Sequence, residues 1–80
     1  MSEKVALVTG AATGIGAAVC TELSRQGVRV AVCDINTVDG EALAEKIGGE
    51  FIDCNVTNIE SVQDAANKCI QRLGVPDYVH

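Results

Sequence analysis

A glycine-rich turn that directly follows a short apolar stretch is the feature that most constrains this chain. The stretch is Val5–Val8, and the glycines are Gly10, Gly14 and Gly16. A strand, a glycine turn and a helix start in this order predict a phosphate-binding loop, because a helix N-terminus presents unpaired N–H groups and about half a positive charge. Glycine also allows a sharp turn, a close approach of a diphosphate to the backbone, and close packing of the helix on the strand. The alternative is a glycine turn that serves packing alone.

Apolar runs alternate with helical periods along the rest of the chain, an order typical of an α/β fold with a parallel sheet. The pattern predicts strands over 5–8, 28–33 and 50–53, helices over 15–26, 38–47 and 59–73, and the start of a fourth strand after Pro76. Right-handed crossovers then give the strand order 3-2-1-4, with the first two helices on one face of the sheet and the third on the other. Ligands of such sheets bind at the carboxyl ends of the strands.

The same pattern predicts the helix caps and the inner helix faces. Asn36 or Thr37 is expected to begin the second helix, and Thr57–Glu60 fits a capping box at the start of the third. Apolar residues at helical spacing are predicted to face inward. They are Ile15, Val19 and Leu23 in the first helix, Leu43 and Ile47 in the second, and Ile59, Val62, Ala66, Cys69, Ile70 and Leu73 in the third.

Asp34 ends the second predicted strand, 18 residues after Gly16. A carboxylate there is placed to accept hydrogen bonds from both hydroxyls of an adenosine ribose, which favours NAD. The 2′-phosphate of NADP would bring up to two negative charges within about 4 Å, each costing about 1 kcal/mol in water and about 4 kcal/mol at an effective dielectric constant of about 20. The alternative is a solvated acid that starts a turn.

The run Thr9–Gly16 resembles the cofactor motif Thr-Gly-x-x-x-Gly-Ile-Gly of the short-chain dehydrogenase/reductase family. The resemblance implies a partial Rossmann fold. Family members that prefer NADP usually carry Arg or Lys where this chain has Thr13 and Ile35, so the resemblance also implies NAD as the cofactor. The cofactor-binding residues expected in these two segments are Gly10, Thr13, Gly14, Ile15, Gly16, Asp34 and Ile35.

A third segment, Asp53–Thr57, resembles the family segment whose Asp-Val pair receives the adenine ring. Asn55 stands where the Asp usually lies, and Val56 follows it. The resemblance implies that the amide oxygen of Asn55 accepts from the 6-amino group, with less charge assistance, while the N–H of Val56 reaches the ring nitrogen. The alternative is that Asn55 is a plain turn residue before the third helix.

The catalytic residues of the family, a serine and a Tyr-x-x-x-Lys motif, have no counterpart in these 80 residues. Tyr78 lacks the lysine, and His80 has no identifiable acid–base partner and is expected to end a buried strand. We therefore predict no catalytic residue and expect residues 1–80 to be the N-terminal part of a single NAD-binding domain, inactive alone.

The resemblance implies that the complete protein is an NAD-dependent oxidoreductase that interconverts a small-molecule alcohol and a carbonyl by hydride transfer, and that it is a homo-oligomer, a dimer or tetramer. The alternative is a short non-catalytic nucleotide-binding or protein-interaction module.

Composition argues against several other classes. The net charge of −5 and the scattered basic residues disfavour a nucleic-acid partner. No apolar stretch approaches the roughly 18 residues of a membrane span, and no signal-type region is present, so we expect a cytoplasmic protein without a membrane partner. The cysteines show no C-x-x-C pair and no histidine at ligand spacing, so no metal site is predicted and we expect small buried apolar residues at Cys20, Cys33, Cys54 and Cys69.

Overall fold

The computed structural model describes residues 4–12 and 14–80, which form one parallel sheet with helices on both faces. The elements in chain order are β1 (Val5–Thr9), α1 (Gly14–Arg25), β2 (Arg29–Asp34), α2 (Thr37–Ile47), β3 (Glu50–Asp53), α3 (Ile59–Arg72) and β4 (Tyr78–Val79). The strand order is β3-β2-β1-β4 and every pairing is parallel. The predicted α/β fold and strand order are confirmed, and no predicted bound of the first six elements is wrong by more than one residue.

Two apolar layers lie on opposite faces of the sheet, because successive residues of a strand point to alternate sides. Ala6 and Val8 of β1 belong to the layer that includes α1 and α2, whereas Val5 and Leu7 belong to the layer that includes α3. The predicted distribution of the helices is therefore confirmed. Since both faces of the sheet are covered, β2 is apolar and buried throughout Val30–Cys33.

The buried face of α1 is centred on Gly16 and Cys20, one residue away from the predicted stripe. Val19 and Leu23 do pack against the core, but Ile15 is 78% exposed. A glycine gives no apolar signal in the sequence, so the pattern of large side chains could not show that residue 16 lies at the centre of the contact.

The contact of α3 with the sheet is made by small residues, Ala65 and Cys69. Leu73 packs beside them as predicted, whereas Ile59, Val62 and Ile70 are 75%, 37% and 46% exposed. The predicted inward orientation of these three residues is wrong. Small side chains let the helix backbone approach the sheet closely, and the larger apolar residues then lie outside the contact.

Both ends of α2 are capped, and Asn36 is the N-cap as predicted. The side-chain oxygen of Asn36 accepts a hydrogen bond from the backbone N–H of Asp39 at 3.1 Å. The helix ends at Gly48, whose φ of +71° lies in the left-handed region, and the N–H of Gly49 donates to the Ala44 carbonyl at 2.8 Å. These bonds satisfy backbone groups that the helix itself leaves unpaired.

The cap of α3 is Asn58 and not Thr57. The side-chain oxygen of Asn58 accepts from the N–H groups of Glu60 and Ser61 at 2.9 and 3.3 Å. Thr57 instead donates from its hydroxyl to the side chain of Asn55. The predicted capping box at Thr57–Glu60 is therefore wrong by one residue, because Thr57 is already used by the preceding turn.

Strand β4 lies at the edge of the sheet and pairs with β1 alone. Tyr78 and Val79 are 46% and 72% exposed, although the N–H of His80 still donates to the Leu7 carbonyl at 2.9 Å. His80 is exposed here, contrary to the expectation that it ends a buried strand, because no described strand pairs with the outer side of β4.

All four cysteines are buried and unpaired with one another, as predicted. Burial raises the pKa of the Cys33 thiol to about 12 and the pKa of the Cys20 thiol to about 11. A thiol with a raised pKa carries little nucleophilic thiolate at neutral pH, so these side chains act as small apolar residues.

Candidate functional site

A cleft of about 440 Å³ opens where β1, β2 and β3 end. Its lining consists of Gly10, Asp34, Ile35, Cys54, Asn55, Val56 and Thr57. Five predicted site residues therefore meet here, because the carboxyl ends of parallel strands lie at the same edge of the sheet. Cys54 and Thr57 were not predicted as lining residues, although the end of a strand and its following loop are where such residues are expected.

Three other predicted site residues, Gly14, Ile15 and Gly16, begin α1. Gly14 and Gly16 lie in its first turn. The exposed side chain of Ile15 lines a second, more open groove along α1 instead of the cleft. Thr13, which was predicted to bind the cofactor, lies outside the described residues.

Gly10 and Gly14 both adopt left-handed backbone conformations, with φ of 61° and 59°. Residues with a side chain rarely adopt such φ values, so these two turns favour glycine. Apart from the chain neighbours and the nearby backbone of the same helix, a Cβ atom at either position would meet no atom of the described residues within 4 Å. The space beside the two glycines is therefore open, and a ligand can approach the backbone closely.

Gly16 has a different function in the same turn. A Cβ atom there would clash with the carbonyl oxygen of Gly10 and would lie 3.0 Å from the Cα of Ala11. Both contacts are with backbone, which cannot rotate away as a side chain can. The close packing of α1 on the glycine loop therefore requires glycine at position 16.

Gly16→Ala is expected to lower the free energy of unfolding of the complete polypeptide, because overpacking usually costs about 1–3 kcal/mol and a clash with backbone places this substitution at the upper end of that range. This loss should exceed the gain in helix propensity, which is about 1 kcal/mol. Urea unfolding of the two proteins measures the difference. An equal or higher free energy of unfolding in Gly16→Ala would show that the loop moves aside freely.

The electrostatics of α1 distinguish it from the other two helices of the described chain. Asp39 and Glu60 stand in the first turns of α2 and α3, where a negative charge balances the helix dipole. The first turn of α1, residues 14–17, contains no acidic residue. Its positive end adjoins Gly10 at the cleft, which favours the binding of an anion such as a phosphate.

Asp34 connects the glycine loop to the end of β2. One carboxylate oxygen accepts from the N–H of Ala12 at 2.9 Å, and the other accepts from the N–H of Asn36 at 2.9 Å. Each bond uses one lone pair of its oxygen, so both oxygens can accept further hydrogen bonds. The hydrogen bonds from these two backbone N–H groups hold the pKa of Asp34 below its usual range, and the bond from Asn36 has the larger effect. The carboxylate is therefore ionised at neutral pH.

Because its pKa is lowered on folding, Asp34 contributes to stability above its unfolded pKa of about 3.9 and loses that contribution as the pH falls through the folded value. Asp34→Asn, which cannot offer two acceptor oxygens, should be less stable than the wild type at neutral pH. The difference between their free energies of unfolding in urea should be constant from about pH 7 to about pH 5 and shrink below about pH 4. A difference that does not change with pH would contradict the assigned ionisation.

Asn55 is held in a tight local turn. Its side-chain oxygen accepts from both the backbone N–H of Thr57, at 3.0 Å, and the Thr57 hydroxyl, at 2.7 Å. Its backbone N–H donates to the Ser61 hydroxyl at 2.9 Å. The amide oxygen that was predicted to receive a 6-amino group is thus already used twice. The backbone N–H of Val56 makes no hydrogen bond within the described residues.

Among residues 4–12 and 14–80, no group of three or more His, Cys, Asp or Glu side chains could hold a metal ion. The same residues contain no helix with the length and apolar character needed to cross a membrane.

Comparisons with known proteins agree with this geometry. A family model described as short chain dehydrogenase matches residues 4–79. D-threitol dehydrogenase from Mycolicibacterium smegmatis is 43% identical over 76 residues, which cover 89% of this chain and 29% of that protein.

Two solved structures share the fold over nearly the whole chain. A protein from Brucella melitensis 16M, described as a ribose-5-phosphate isomerase, superposes with a TM-score of 0.92 at 37% identity, covering 99% of this chain and 31% of that one. Hydroxysteroid dehydrogenase from Escherichia coli superposes with a TM-score of 0.87 at 28% identity, covering 95% and 34%. The chain thus spans about a third of the length of the proteins it matches.

Proposed function

This chain belongs to the short-chain dehydrogenase family, and on that premise we propose that it is the NAD-binding part of an oxidoreductase that interconverts an alcohol and a carbonyl group by hydride transfer. The dehydrogenases of this family use nicotinamide cofactors. When bound, the nicotinamide ring supplies the hydride acceptor or donor. We assign to the 80 residues the binding of that cofactor, as the N-terminal part of a single domain, and assign no catalytic residue to them.

The lining of the cleft fits a dinucleotide in the order of its parts. The glycine loop and the positive end of α1 follow β1, Asp34 follows β2, and Asn55 and Val56 follow β3. These strands are neighbours in the sheet, so the three groups form a row. Backbone N–H groups and a helix dipole suit a diphosphate, a carboxylate suits ribose hydroxyls, and polar groups at the far end suit a base.

The observation that carries the proposal is the 2.9 Å hydrogen bond from the N–H of Ala12 to the carboxylate of Asp34. It fixes the glycine loop beside the acid, so that the expected phosphate and ribose contacts are held at one distance from each other. Free acceptor capacity remains on the carboxylate for two hydroxyls. The homo-oligomeric state and the cytoplasmic location stay predictions from the sequence.

Isothermal titration of the complete polypeptide with NAD tests the proposal, and we expect saturable binding at one site. Asp34→Ala should raise Kd at least about tenfold, the effect of losing hydrogen bonds to a charged group. The matched control is Asp53→Ala, because Asp53 is paired with Asp34 in the sheet but is absent from the cleft lining. Affinity for AMP without affinity for NAD would favour the non-catalytic module, and equal losses in both variants would contradict the role given to Asp34.

A further inference from the structure

We propose that Asn55 makes the base end of the cleft nearly indifferent between 6-amino and 6-oxo purines, so that the protein binds nicotinamide hypoxanthine dinucleotide about as tightly as NAD. The inference rests on the proposed function and names the residue that sets the base selectivity of that site. It follows from which polar atoms of the cleft are free and which are already used.

The location of the base end follows from the strand order. A diphosphate at the glycine loop lies after β1, and a ribose at Asp34 lies after β2. The next strand along this side of the sheet is β3, so the base meets the residues that follow β3. Of these, Asn55 and Val56 line the cleft and have polar atoms without a partner among the described residues.

The orientation of the Asn55 amide is fixed by its neighbour. A backbone N–H can only donate, so the side-chain atom 3.0 Å from the nitrogen of Thr57 must be the oxygen. The Thr57 hydroxyl donates to the same oxygen at 2.7 Å. Both lone pairs of the amide oxygen are therefore used. The remaining polar atom is the amide nitrogen, which can only donate.

The polar groups that remain unpaired on these two lining residues are thus both donors, the amide nitrogen of Asn55 and the backbone N–H of Val56. Adenine presents an acceptor at N1 and a donor at its 6-amino group, whereas hypoxanthine presents a donor at N1 and an acceptor at O6. When both groups of the site are donors, adenine forms a hydrogen bond through N1 and places its 6-amino group against a second donor. Hypoxanthine forms a hydrogen bond through O6 and places its N1–H against a second donor. The two dinucleotides should therefore bind with similar affinity.

An aspartate at position 55 would change this balance. One carboxylate oxygen can keep the two bonds from Thr57, and the second oxygen adds an acceptor beside the donor of Val56. Adenine then satisfies both groups of the site, and hypoxanthine satisfies neither. A site built to pair with a polar group discriminates strongly against an analogue that cannot pair with it.

Isothermal titration of the complete polypeptide with NAD and with nicotinamide hypoxanthine dinucleotide tests the proposal. The two Kd values of the wild type should agree within about threefold, less than the net worth of one hydrogen bond. In Asn55→Asp the preference for NAD should rise by roughly tenfold to a hundredfold. Asn58→Asp is the matched control, because Asn58 lies outside the cleft lining and aspartate is an equally good N-cap, so its ratio of Kd values should equal that of the wild type.

A wild-type preference for either dinucleotide above about threefold would overturn the inference, since the two ligands would then differ by about the net worth of a hydrogen bond. An unchanged ratio of the two Kd values in Asn55→Asp would also overturn the inference. An equal change of that ratio in Asn58→Asp would overturn it as well, because it would show that the added negative charge alone is responsible. Failure of the wild type to bind either dinucleotide would overturn the proposed function and this inference with it. The readout is a ratio of affinities, so a loss of stability common to both titrations leaves it unaffected.

Discussion

Gly14→Val is expected to abolish measurable NAD binding by the complete polypeptide, with a rise in Kd of at least about a hundredfold, while the protein stays folded. Gly14 has a φ of 59°, and left-handed backbone costs a residue with a side chain about 1–2 kcal/mol, more when the side chain is β-branched. A valine there would either bend the loop or project into the space beside it, which the other described residues leave open around the Cβ position. In both cases a diphosphate could no longer approach the backbone.

The folded state should survive because the Cβ position at residue 14 is open and the backbone strain is small beside a total stability of about 5–15 kcal/mol. Gly48→Val is the matched control, since Gly48 has a φ of +71° and equally open surroundings but ends α2 just before β3 begins, at the opposite ends of the strands from the cleft. It should lose a similar amount of stability and keep the affinity of the wild type. An unaltered affinity in Gly14→Val would remove the argument for a phosphate-binding loop.

The complete polypeptide is expected to bind NAD more tightly than NADP by at least about tenfold to a hundredfold. Asp34 is ionised at neutral pH, because backbone N–H groups lower its pKa. A 2′-phosphate beside it would bring up to two further negative charges, each costing about 1 kcal/mol in water at 4 Å and about 4 kcal/mol where the surroundings are less polar. Ile35, which follows Asp34 in the cleft lining, offers no positive charge to offset this repulsion.

Isothermal titration with both cofactors measures the preference. Asp34→Asn removes the charge and should narrow the ratio of the two Kd values several-fold or more. Asp53→Asn removes a charge from the neighbouring strand end and should leave the ratio unchanged, because Asp53 does not line the cleft. Tighter binding of NADP than of NAD by the wild type would mean that Asp34 does not contact the ribose.

The fold and the outline of the site could be predicted from local signals. A strand buried on both faces is apolar throughout, so the run Val30–Cys33 indicates a strand. Helical segments repeat every 3.6 residues, and a sharp turn needs glycine, as at Gly10. The strand order then follows from the handedness of the crossovers, which leaves few topologies. The convergence of Gly10, Asp34 and Asn55 on one cleft is a consequence of that order.

Tertiary structure alone decided which residues of each helix pack against the sheet or the glycine loop. The sequence of α3 offers several apolar residues at helical spacing, but only the distance from helix to sheet selects Ala65 and Cys69 for the contact and leaves Ile59 outside it. The importance of Gly16 for packing depends in the same way on the position of the Gly10 carbonyl.

The polar groups of the cleft follow the same division. Sequence alone determined that a carboxylate ends β2, that an amide side chain follows β3, and that glycines form the turn after β1. Only the folded chain decided that the carboxylate of Asp34 accepts a hydrogen bond from the N–H of Ala12 and that the side-chain oxygen of Asn55 accepts from Thr57. The physical reason is that each of these side chains has several hydrogen-bonding atoms and several candidate partners, and only their positions in space determine which bonds form.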